Sequence, residues 1–447
     1  MRKKFTLGIH FDVYSGRAVL LDISNGELVS SKVFEYPKKA GINQLPDGTS
    51  LGENCCLGHP SNYLYAIKSL ISELLKDANV YPSQVIALGI NFDSYTIISA
   101  DNEEPENIGG DSFLVEAPDW ITMELTGELV SSSIYPLGEK IGELNQMTSM
   151  NTGLLVGTCL AVPASNAHVT LPALGVTEAG EMVILLERSI RQFILSKEKK
   201  ELPGLCSLIE DRLIPGYFTY ETMQPEAGEI FDSFLEQFVN KEYHEAAENE
   251  GIDLLTYLIK KAELLRPGES GLLVLDWWSG NKSILDNKDL SGLIIGLGLK
   301  TKPEAIFRAL MEAVAFGTLK IIKNFREYGI PVEKLYLCGE LVEKNPLLMQ
   351  IFSDVCNMEI YTSAFSHPTA VGSAIMASVA AGKALGGYDN VFEAAKKISK
   401  LNDTVYRPIA ENVEIYKELF IEYEKLYNYF GHNENTIMKR LKEIKER

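Results

Sequence analysis

A turn near the N-terminus carries side chains that bear directly on phosphate chemistry. It lies between two apolar segments and reads His10-Phe11-Asp12-Val13-Tyr14-Ser15. Backbone amides approach a phosphate closely only where no side chain intervenes. A carboxylate about 4 Å from a phosphate costs on the order of 1 kcal/mol in water and about 4 kcal/mol at intermediate screening. Asp12 is therefore predicted to oppose phosphate binding at this turn.

A second turn, Leu186-Glu187-Arg188-Ser189, joins two further apolar segments that form a predicted hairpin. Two interpretations of Arg188 remain open. Its guanidinium could bind a phosphate as well as an amide does. The alternative, which we favour, is an ordinary surface Glu-Arg pair on a hairpin turn.

The composition limits the classes of protein and of binding partner that the chain can represent. A chain of 447 residues with 46% hydrophobic and 23% charged residues predicts two globular domains. The formal net charge of -19 argues against nucleic acid or an anionic membrane as the main partner. The six cysteines lack CxxC spacing, and no run approaches eighteen apolar residues, so we expect reduced thiols and a cytoplasmic protein. The histidines show no metal-ligand spacing, and no metal is predicted.

The hydrophobic periodicity predicts two copies of one mixed α/β plan. Residues 5–35 read as an antiparallel meander, followed by a helix at 62–78 and a buried strand at 85–90. A hairpin at 182–195, a helix at 303–328 and a strand at 334–337 repeat that order, and the predicted seam lies at 172–180. The charged, amphipathic segments 412–430 and 435–446 are predicted to form a solvated helical tail.

Several stretches together resemble the ribulokinase-like members of the FGGY carbohydrate kinases. They are the run Leu275-Asp276-Trp277-Trp278-Ser279-Gly280-Asn281-Lys282-Ser283, the helix at 309–318, and residues 338–350. The resemblance covers nearly the whole chain. It implies an α/β fold of two ribonuclease-H-like (actin/hexokinase-like ATPase) domains around a central cleft. Residues 1–174 would form the N-terminal-type domain, shortened by loss of sugar-binding inserts, and 175–447 the nucleotide-side domain with its helical tail.

The resemblance also implies which positions perform chemistry in the family. His10 stands where the family has a carboxylate directed at Mg²⁺, and Asp12 stands where it has a glycine. Asn166 stands where it has the aspartate that removes the proton of the sugar hydroxyl. Asn91 and Asp93 occupy the positions of an aspartate and a threonine near sugar and metal. An amide is not a useful base, and general-base catalysis contributes about 10² to 10⁴ in rate. His168 is a possible substitute base, although the family also has histidine there, which favours a structural role.

Further positions follow from the same resemblance. Glu221 is the remaining candidate sugar contact, and Glu340 follows Gly339 where the family has a second glycine. The implied nucleotide and phosphate side comprises Asp12, Val13, Ser15, Glu187, Arg188, Ser189, Gly339, Glu340, Asn345 and Gly372.

Three hypotheses follow. The first is a ribulokinase-like protein that folds normally but has little or no sugar phosphorylation and serves as a ligand sensor or as a subunit modulating an active kinase. The second is a working carbohydrate kinase, with Mg-ATP as cofactor, in which Arg188 holds the γ-phosphate and His168 or Asp93 is the base. The third is a structural partner in an oligomer. The expected partners are a sugar or nucleotide, a second copy of the chain, or an active kinase.

Overall fold

The computed structural model describes residues 3–37, 44, 55–92, 95–99, 114–225, 228–432 and 435–445. In chain order, its strands are β1 Phe5–Phe11, β2 Ser15–Asp22, β3 Glu27–Glu35, β4 Cys55–Leu57, β5 Val85–Phe92, β6 Tyr95–Ser99, β7 Leu114–Glu116, β8 Lys140–Glu143, β9 Cys159–Ala161, β10 Ala164–Ser165, β11 Glu181–Leu186, β12 Ile190–Ser196, β13 Ser207–Glu210, β14 Phe218–Gln224, β15 Leu273–Leu275, β16 Leu293–Ile295, β17 Lys334–Cys338 and β18 Ile360–Thr362.

The helices, again in chain order, are α1 Pro60–Asp77, α2 Ala117–Thr126, α3 Gln146–Thr152, α4 Asn166–Ala173, α5 Glu229–Phe238, α6 Lys241–Glu250, α7 Leu254–Glu263, α8 Pro303–Glu327, α9 Glu340–Lys344, α10 Pro346–Cys356, α11 Pro368–Leu385, α12 Val391–Ile398, α13 Ala410–Gly431 and α14 Ile437–Lys445. Among the described residues, no helix combines the length and apolar character that crossing a bilayer requires.

The chain forms two compact units. Unit 1 comprises Met1–Thr177, Asp211–Pro215 and Ser363–Leu401, and unit 2 comprises Glu178–Glu210, Gly216–Thr362 and Asn402–Arg447. The chain first passes from unit 1 to unit 2 between Thr177 and Glu178, inside the predicted domain boundary at 172–180. Residues 363–401 nevertheless return to unit 1, whereas a single cut after residue 174 would place them in the second domain. That assignment of family-type domains stays a prediction.

Unit 1 is organised around a mixed sheet of order β3-β2-β1-β5-β9-β8, with β10 also paired to β5. β1, β2 and β3 are antiparallel, which confirms the predicted meander, and β1, β5, β9 and β10 are parallel to one another along the sheet. Every residue of β1 and β5 is buried, as expected for central strands covered on both faces. A second, three-stranded sheet has the order β4-β6-β7.

Helix α11 packs on one face of the unit 1 sheet at very short range. A Cβ added to Gly8 would lie 1.9 Å from the carbonyl oxygen of Ala370. A Cβ added to Gly89 would lie 2.1 Å from the carbonyl oxygen of Ser373. At Gly372, on the helix itself, the Cβ would lie 1.9 Å from the Val169 carbonyl oxygen of α4. Gly8 and Gly89 let the strand backbones approach α11, and Gly372 lets α11 approach α4.

Unit 2 repeats the plan with the sheet order β13-β14-β12-β11-β17-β18. In both units, consecutive antiparallel pairings are followed by two parallel ones, here β11·β17 and β17·β18. Unit 2 has three such antiparallel pairings where unit 1 has two, and unit 1 adds the antiparallel pair β8·β9 at its far edge. The prediction of two copies of one mixed α/β plan is confirmed.

The prediction of a solvated helical tail was wrong for α13. Tyr416, Tyr423 and Tyr427 are at most 1% exposed and belong to the hydrophobic core of unit 2. They are separated by seven and four residues, so they lie on one side of the helix, which is apolar. The sequence predicted a helix correctly, but not that a core covers its apolar side. α14 has only Met438 buried among its residues and remains largely exposed.

Candidate functional site

A row of side chains crosses the sheet of unit 1 where its parallel strands end. The strand register pairs Arg17 with His10, His10 with Asn91, and Asn91 with Ala164. Asn166 follows β10 directly as the first residue of α4. We call Arg17, His10, Asn91 and Asn166 the edge row. Carboxyl ends of parallel strands are the usual location of ligand sites in α/β sheets, so three of the predicted site residues meet at such an edge.

The edge row adjoins the start of α11. Gly8 and Gly89, which contact α11, precede His10 and Asn91 by two residues, and side chains two apart share a sheet face. His10 and Asn91 therefore face the side that α11 covers. His367 is the N-cap residue of α11. Burial, together with the nearby charges of Arg17 and His10, lowers the pKa of His367 to about 4.

The carboxylate of Asp12 is hydrogen-bonded to groups of its own turn. Its Oδ1 accepts hydrogen bonds from the backbone amides of Tyr14 at 2.5 Å and Ser15 at 2.8 Å. Its Oδ2 accepts a hydrogen bond from the Ser15 hydroxyl at 2.8 Å and lies 3.4 Å from Nη2 of Arg17. Val13 is half-buried within the turn. The amides and the hydroxyl that a phosphate would need at this turn are thus bonded to Asp12.

The two asparagines of the edge row differ in their hydrogen bonding. Asn166 is buried, and its Oδ1 accepts a hydrogen bond from the backbone amide of Ala167 at 2.6 Å. Asn91 is 0% exposed, and neither its Oδ1 nor its Nδ2 has a hydrogen-bond partner among the described residues. A buried amide without partners costs free energy, so Asn91 is the position of the edge row that most requires an explanation.

The residues at this edge do not fit Mg²⁺. That ion requires oxygen ligands in near-octahedral geometry and is usually held by one or two carboxylates. The edge row offers a guanidinium, an imidazole and two amides, and the oxygens of Asp12 are already bonded within the turn. Within the part of the chain that the structure describes, no group of three or more His, Cys, Asp or Glu side chains could hold a metal ion.

In the second turn, which lies in unit 2, Arg188 forms a surface ion pair, as in the interpretation favoured from the sequence. Arg188 Nε lies 2.7 Å from Oε1 of Glu229, and both side chains are more than a third exposed. Glu187 and Ser189, its neighbours in the turn, are half-buried. The partner is Glu229 at the start of α5 and not Glu187, because Gly228 lets the backbone of α5 approach the turn closely.

Acidic side chains surround this part of unit 2. Burial raises the pKa of the Asp232 carboxyl, and the negative charges of Glu340 and Glu236 raise it further. Burial also raises the pKa of the Cys338 thiol well above its ordinary value, with a further contribution from Glu187 and Glu343. Glu340 forms an exposed ion pair with Lys344 one helical turn away. The local field is therefore unfavourable to a polyphosphate.

Three positions predicted on the nucleotide side are explained by packing and capping. Gly339 has φ 111° and its Cβ would lie 2.4 Å from the Leu186 carbonyl oxygen, so the position requires glycine. The Asn345 Oδ1 accepts a hydrogen bond from the Leu348 amide and caps α10. Gly372 lies in the α11–α4 contact of unit 1. Their contact with a nucleotide stays a prediction.

The described sugar-side residues belong to different units. Glu221 lies on β14 of unit 2, where its two carboxylate oxygens accept hydrogen bonds from Arg191 at 3.1 Å and from the Ser207 hydroxyl at 2.6 Å. Asn91 lies in the edge row of unit 1, and Asp93 lies outside the described residues. His168, the possible substitute base, is a half-buried residue of α4. Glu221 as a sugar contact stays a prediction.

Comparison with known proteins gives the family. A sequence profile described as the FGGY family of carbohydrate kinases, C-terminal domain, matches residues 189–381. The ribulokinase of Anoxybacillus flavithermus is 37% identical in an alignment that covers 100% of this chain and 98% of that protein. The chain belongs to the FGGY family of carbohydrate kinases. The ribulokinase of Geobacillus thermodenitrificans is 36% identical over the same shares of both chains.

Solved structures of FGGY kinases share the fold. Gluconate kinase from Lactobacillus acidophilus has a TM-score of 0.76 at 14% identity, covering 97% of this chain and 99% of that chain. Xylulose kinase from Rhodospirillum rubrum has a TM-score of 0.70 at 16% identity, covering 95% and 98%. The predicted actin/hexokinase-like fold is confirmed. The ribulokinase alignment spans 553 positions against the 447 residues of this FGGY chain, so part of the relatives' length has no counterpart here.

Two residues of this FGGY site were missed by sequence reasoning. His367 precedes Pro368, and proline favours the first position of a helix, so this pair could have marked His367 as an N-cap. Arg17, Val19 and Leu21 are two residues apart along β2 and therefore share one face of the sheet. Val19 and Leu21 pack against α11 on that face. That spacing gives the face of the sheet but not the helix that covers it.

A buried acid in unit 2 gives a pH-dependent prediction. Asp276, from the run that carries the family resemblance, lines a polar cavity of about 20 Å³ and accepts a hydrogen bond from Gln224 Nε2 at 2.9 Å. Burial raises the pKa of its carboxyl to about 6. The unfolded carboxyl titrates near pH 4, so the native state loses stability as the pH rises from about 4 through about 6.

We therefore expect the free energy of unfolding of the wild type, relative to that of Asp276→Asn, to fall by about 2–3 kcal/mol between pH 4 and pH 7. Urea denaturation of both proteins at several pH values measures it. Parallel pH curves for the two proteins would show that Asp276 does not titrate in this range.

Proposed function

We propose that this chain is a ribulokinase-like FGGY carbohydrate kinase homologue in which ATP-dependent phosphorylation of a pentulose is lost or strongly impaired, and that it serves as a sensor or modulator in sugar metabolism. One observation carries the proposal. The edge row, at the carboxyl ends of the parallel strands in unit 1, contains Arg17, His10, Asn91 and Asn166 and no carboxylate.

The absence of a base at Asn166 supports this proposal. An amide oxygen has no useful basicity, and the Asn166 oxygen already accepts a hydrogen bond from the Ala167 amide. Loss of a general base lowers a reaction rate by about 10² to 10⁴. The side chains at His10 and Asn91 add a second defect, because neither is a carboxylate that could bind a divalent ion.

The phosphate-side residues support it independently. In unit 1, the amides of Tyr14 and Ser15 donate to Asp12, so a phosphate would have to displace a carboxylate from them. In unit 2, Arg188 is paired with Glu229. The second hypothesis, an active kinase with a rearranged site, requires Arg188 to leave that carboxylate, and no observation favours it. Cytoplasmic location, homodimer formation and association with an active kinase stay predictions.

A direct assay tests the proposal. The full chain is incubated with ATP, Mg²⁺ and L-ribulose, and ADP release is measured beside the ribulokinase of Anoxybacillus flavithermus as a positive control. We expect turnover at least about 10²-fold below the ordinary range of about 1 to 10³ per second. Turnover within that range, abolished by Arg188→Ala, would overturn the proposal in favour of the active kinase.

Restoring the family residues should raise the rate. The triple variant His10→Asp, Asp12→Gly, Asn166→Asp is expected to transfer phosphate about 10²-fold faster than the wild type, because it supplies a metal carboxylate, open turn amides and a base. A matched control carries Asn145→Asp in place of Asn166→Asp, since Asn145 caps α3 away from the edge row. Equal rates for the two triple variants would contradict the role assigned to position 166.

A further inference from the structure

Cationic and hydrogen-bond donor groups converge at one end of the edge row. Arg17 and His10 are register partners on neighbouring strands, and both lower the pKa of His367 at the N-cap of α11. The first amides of a helix have no acceptor within that helix, and the helix dipole adds positive potential there. α11 is 18 residues long. This combination favours a bound anion.

Asn91 supplies an independent sign of a ligand. It is fully buried, and both its amide atoms lack partners among the described residues. Strand register places it beside His10 on the sheet face that α11 covers. An amide with an open donor and an open acceptor is satisfied by a group that both donates and accepts, and a hydroxyl is the simplest such group.

We propose that the carboxyl edge of the unit 1 sheet binds a phosphorylated sugar directly, without a divalent metal. The phosphate contacts Arg17, His10 and His367 at the start of α11, and a sugar hydroxyl bonds to the Asn91 amide. This proposal rests on the proposed function and deepens it, because it gives the sensor a ligand class: the sugar phosphate that an active kinase produces, and not the nucleotide.

The charges around the phosphate position are consistent with this assignment. Asp12 is the acid nearest to Arg17, at 3.4 Å, and it would oppose the anion. Its carboxylate, however, is held within the turn by hydrogen bonds from the Tyr14 and Ser15 amides and the Ser15 hydroxyl. The Arg17 side chain is 30% exposed, so it can reach a ligand from solvent without breaking a buried contact. A phosphate needs no Mg²⁺ where a guanidinium supplies the charge and imidazoles and helix N-terminal amides supply hydrogen bonds.

The test is calorimetric titration of the full chain in EDTA, with L-ribulose 5-phosphate, L-ribulose and inorganic phosphate as separate probes. We expect the sugar phosphate to bind at least about tenfold more tightly than either other probe, and equally well when Mg²⁺ replaces EDTA. No binding of the sugar phosphate, binding only with Mg²⁺, or equal affinity for inorganic phosphate or for free ribulose would each overturn the proposal.

Two variants separate a ligand role from a structural one. Asn91→Leu removes a buried amide that has no partner within the described ranges, so the free protein should melt at an equal or higher temperature, while affinity for the sugar phosphate falls about tenfold or more. Arg17→Gln should lower affinity by a similar factor. Arg212→Gln is the matched control, because Arg212 also lies in unit 1 but bonds to the Tyr135 carbonyl. Unchanged affinity in Asn91→Leu and Arg17→Gln would overturn the assignment of the site.

The outcomes are distinguishable from those of the proposed function. Absence of sugar phosphate binding leaves a low kinase turnover standing, so only the ligand class would be rejected. Ordinary turnover with L-ribulose and Mg-ATP would reject the proposed function whatever the titration in EDTA gives.

Discussion

Gly89→Ala is expected to lower the free energy of unfolding by about 3 kcal/mol. The added methyl group would lie 2.1 Å from the carbonyl oxygen of Ser373. That oxygen belongs to the backbone of α11, so it cannot rotate away as a side chain could. Strand and helix must separate, and α11 would then carry His367 away from Arg17 and His10. Urea denaturation followed by tryptophan fluorescence measures the loss, and titration with L-ribulose 5-phosphate measures its effect on the site.

Gly16→Ala is the matched control for this change. Gly16 lies on β2 of the same unit, and its added Cβ would meet the Ala66 side chain at 3.2 Å and the Leu70 side chain at 3.3 Å. Side chains at that distance can shift by a few tenths of an ångström, so we expect a loss of about 1 kcal/mol or less. Equal losses at Gly16 and Gly89 would show that the approach of α11 is not the cause.

Arg308→Met is expected to destabilise the protein by about 3–5 kcal/mol. Arg308 is 4% exposed, and its Nε donates to Glu312 Oε1 at 3.0 Å. It also donates to the carbonyls of Ala262 and Leu265 and to the Tyr416 hydroxyl, which joins α7, α8 and α13. Burial already raises the pKa of the Glu312 carboxyl. Without Arg308, that carboxyl must stay buried without its cation or take up a proton.

The double variant Arg308→Met, Glu312→Leu should recover much of this loss, because it removes both charges together. Lys417→Met is the surface control. Lys417 pairs with Glu414 at 2.7 Å, but both side chains are more than half exposed, so a change within about 0.5 kcal/mol is expected. Urea denaturation of the four proteins measures these differences. A double variant no more stable than Arg308→Met would contradict the account of an uncompensated charge.

The elements of the fold were largely predictable, because periodicity follows from which face of an element is buried. The meander at 5–35 and the helices at 62–78 and 303–328 correspond to β1–β3, α1 and α8. Sequence could not predict that residues 363–401 return to unit 1. An apolar helix face signals that it is covered, but not by which distant element. The same reason explains why α13 was assigned to solvent when it packs in a core.

The candidate site was predictable in part. The resemblance identified His10, Asn91 and Asn166, and the register then placed them in one row. Arg17 and His367 entered only through the structure, since 350 residues separate them along the chain, a distance that no local pattern spans. The partner of Arg188 was likewise decided by the approach of α5 to the turn, so the pair forms with Glu229 and not with the adjacent Glu187.

The sequence by itself determined which residue types stand at the positions where the family resemblance implies chemistry: an amide at the implied position of the base, an imidazole at the implied position of a metal carboxylate, and an acid in a turn where the resemblance implies a glycine. These are properties of residue types, and folding does not change them. Only the tertiary structure decided how those groups are used. Asp12 is hydrogen-bonded inside its turn, Asn166 bonds to the first turn of α4, and Asn91 has no hydrogen-bond partner in the part of the chain that the structure describes. Hydrogen bonds and burial depend on three-dimensional neighbours, which the sequence does not specify locally.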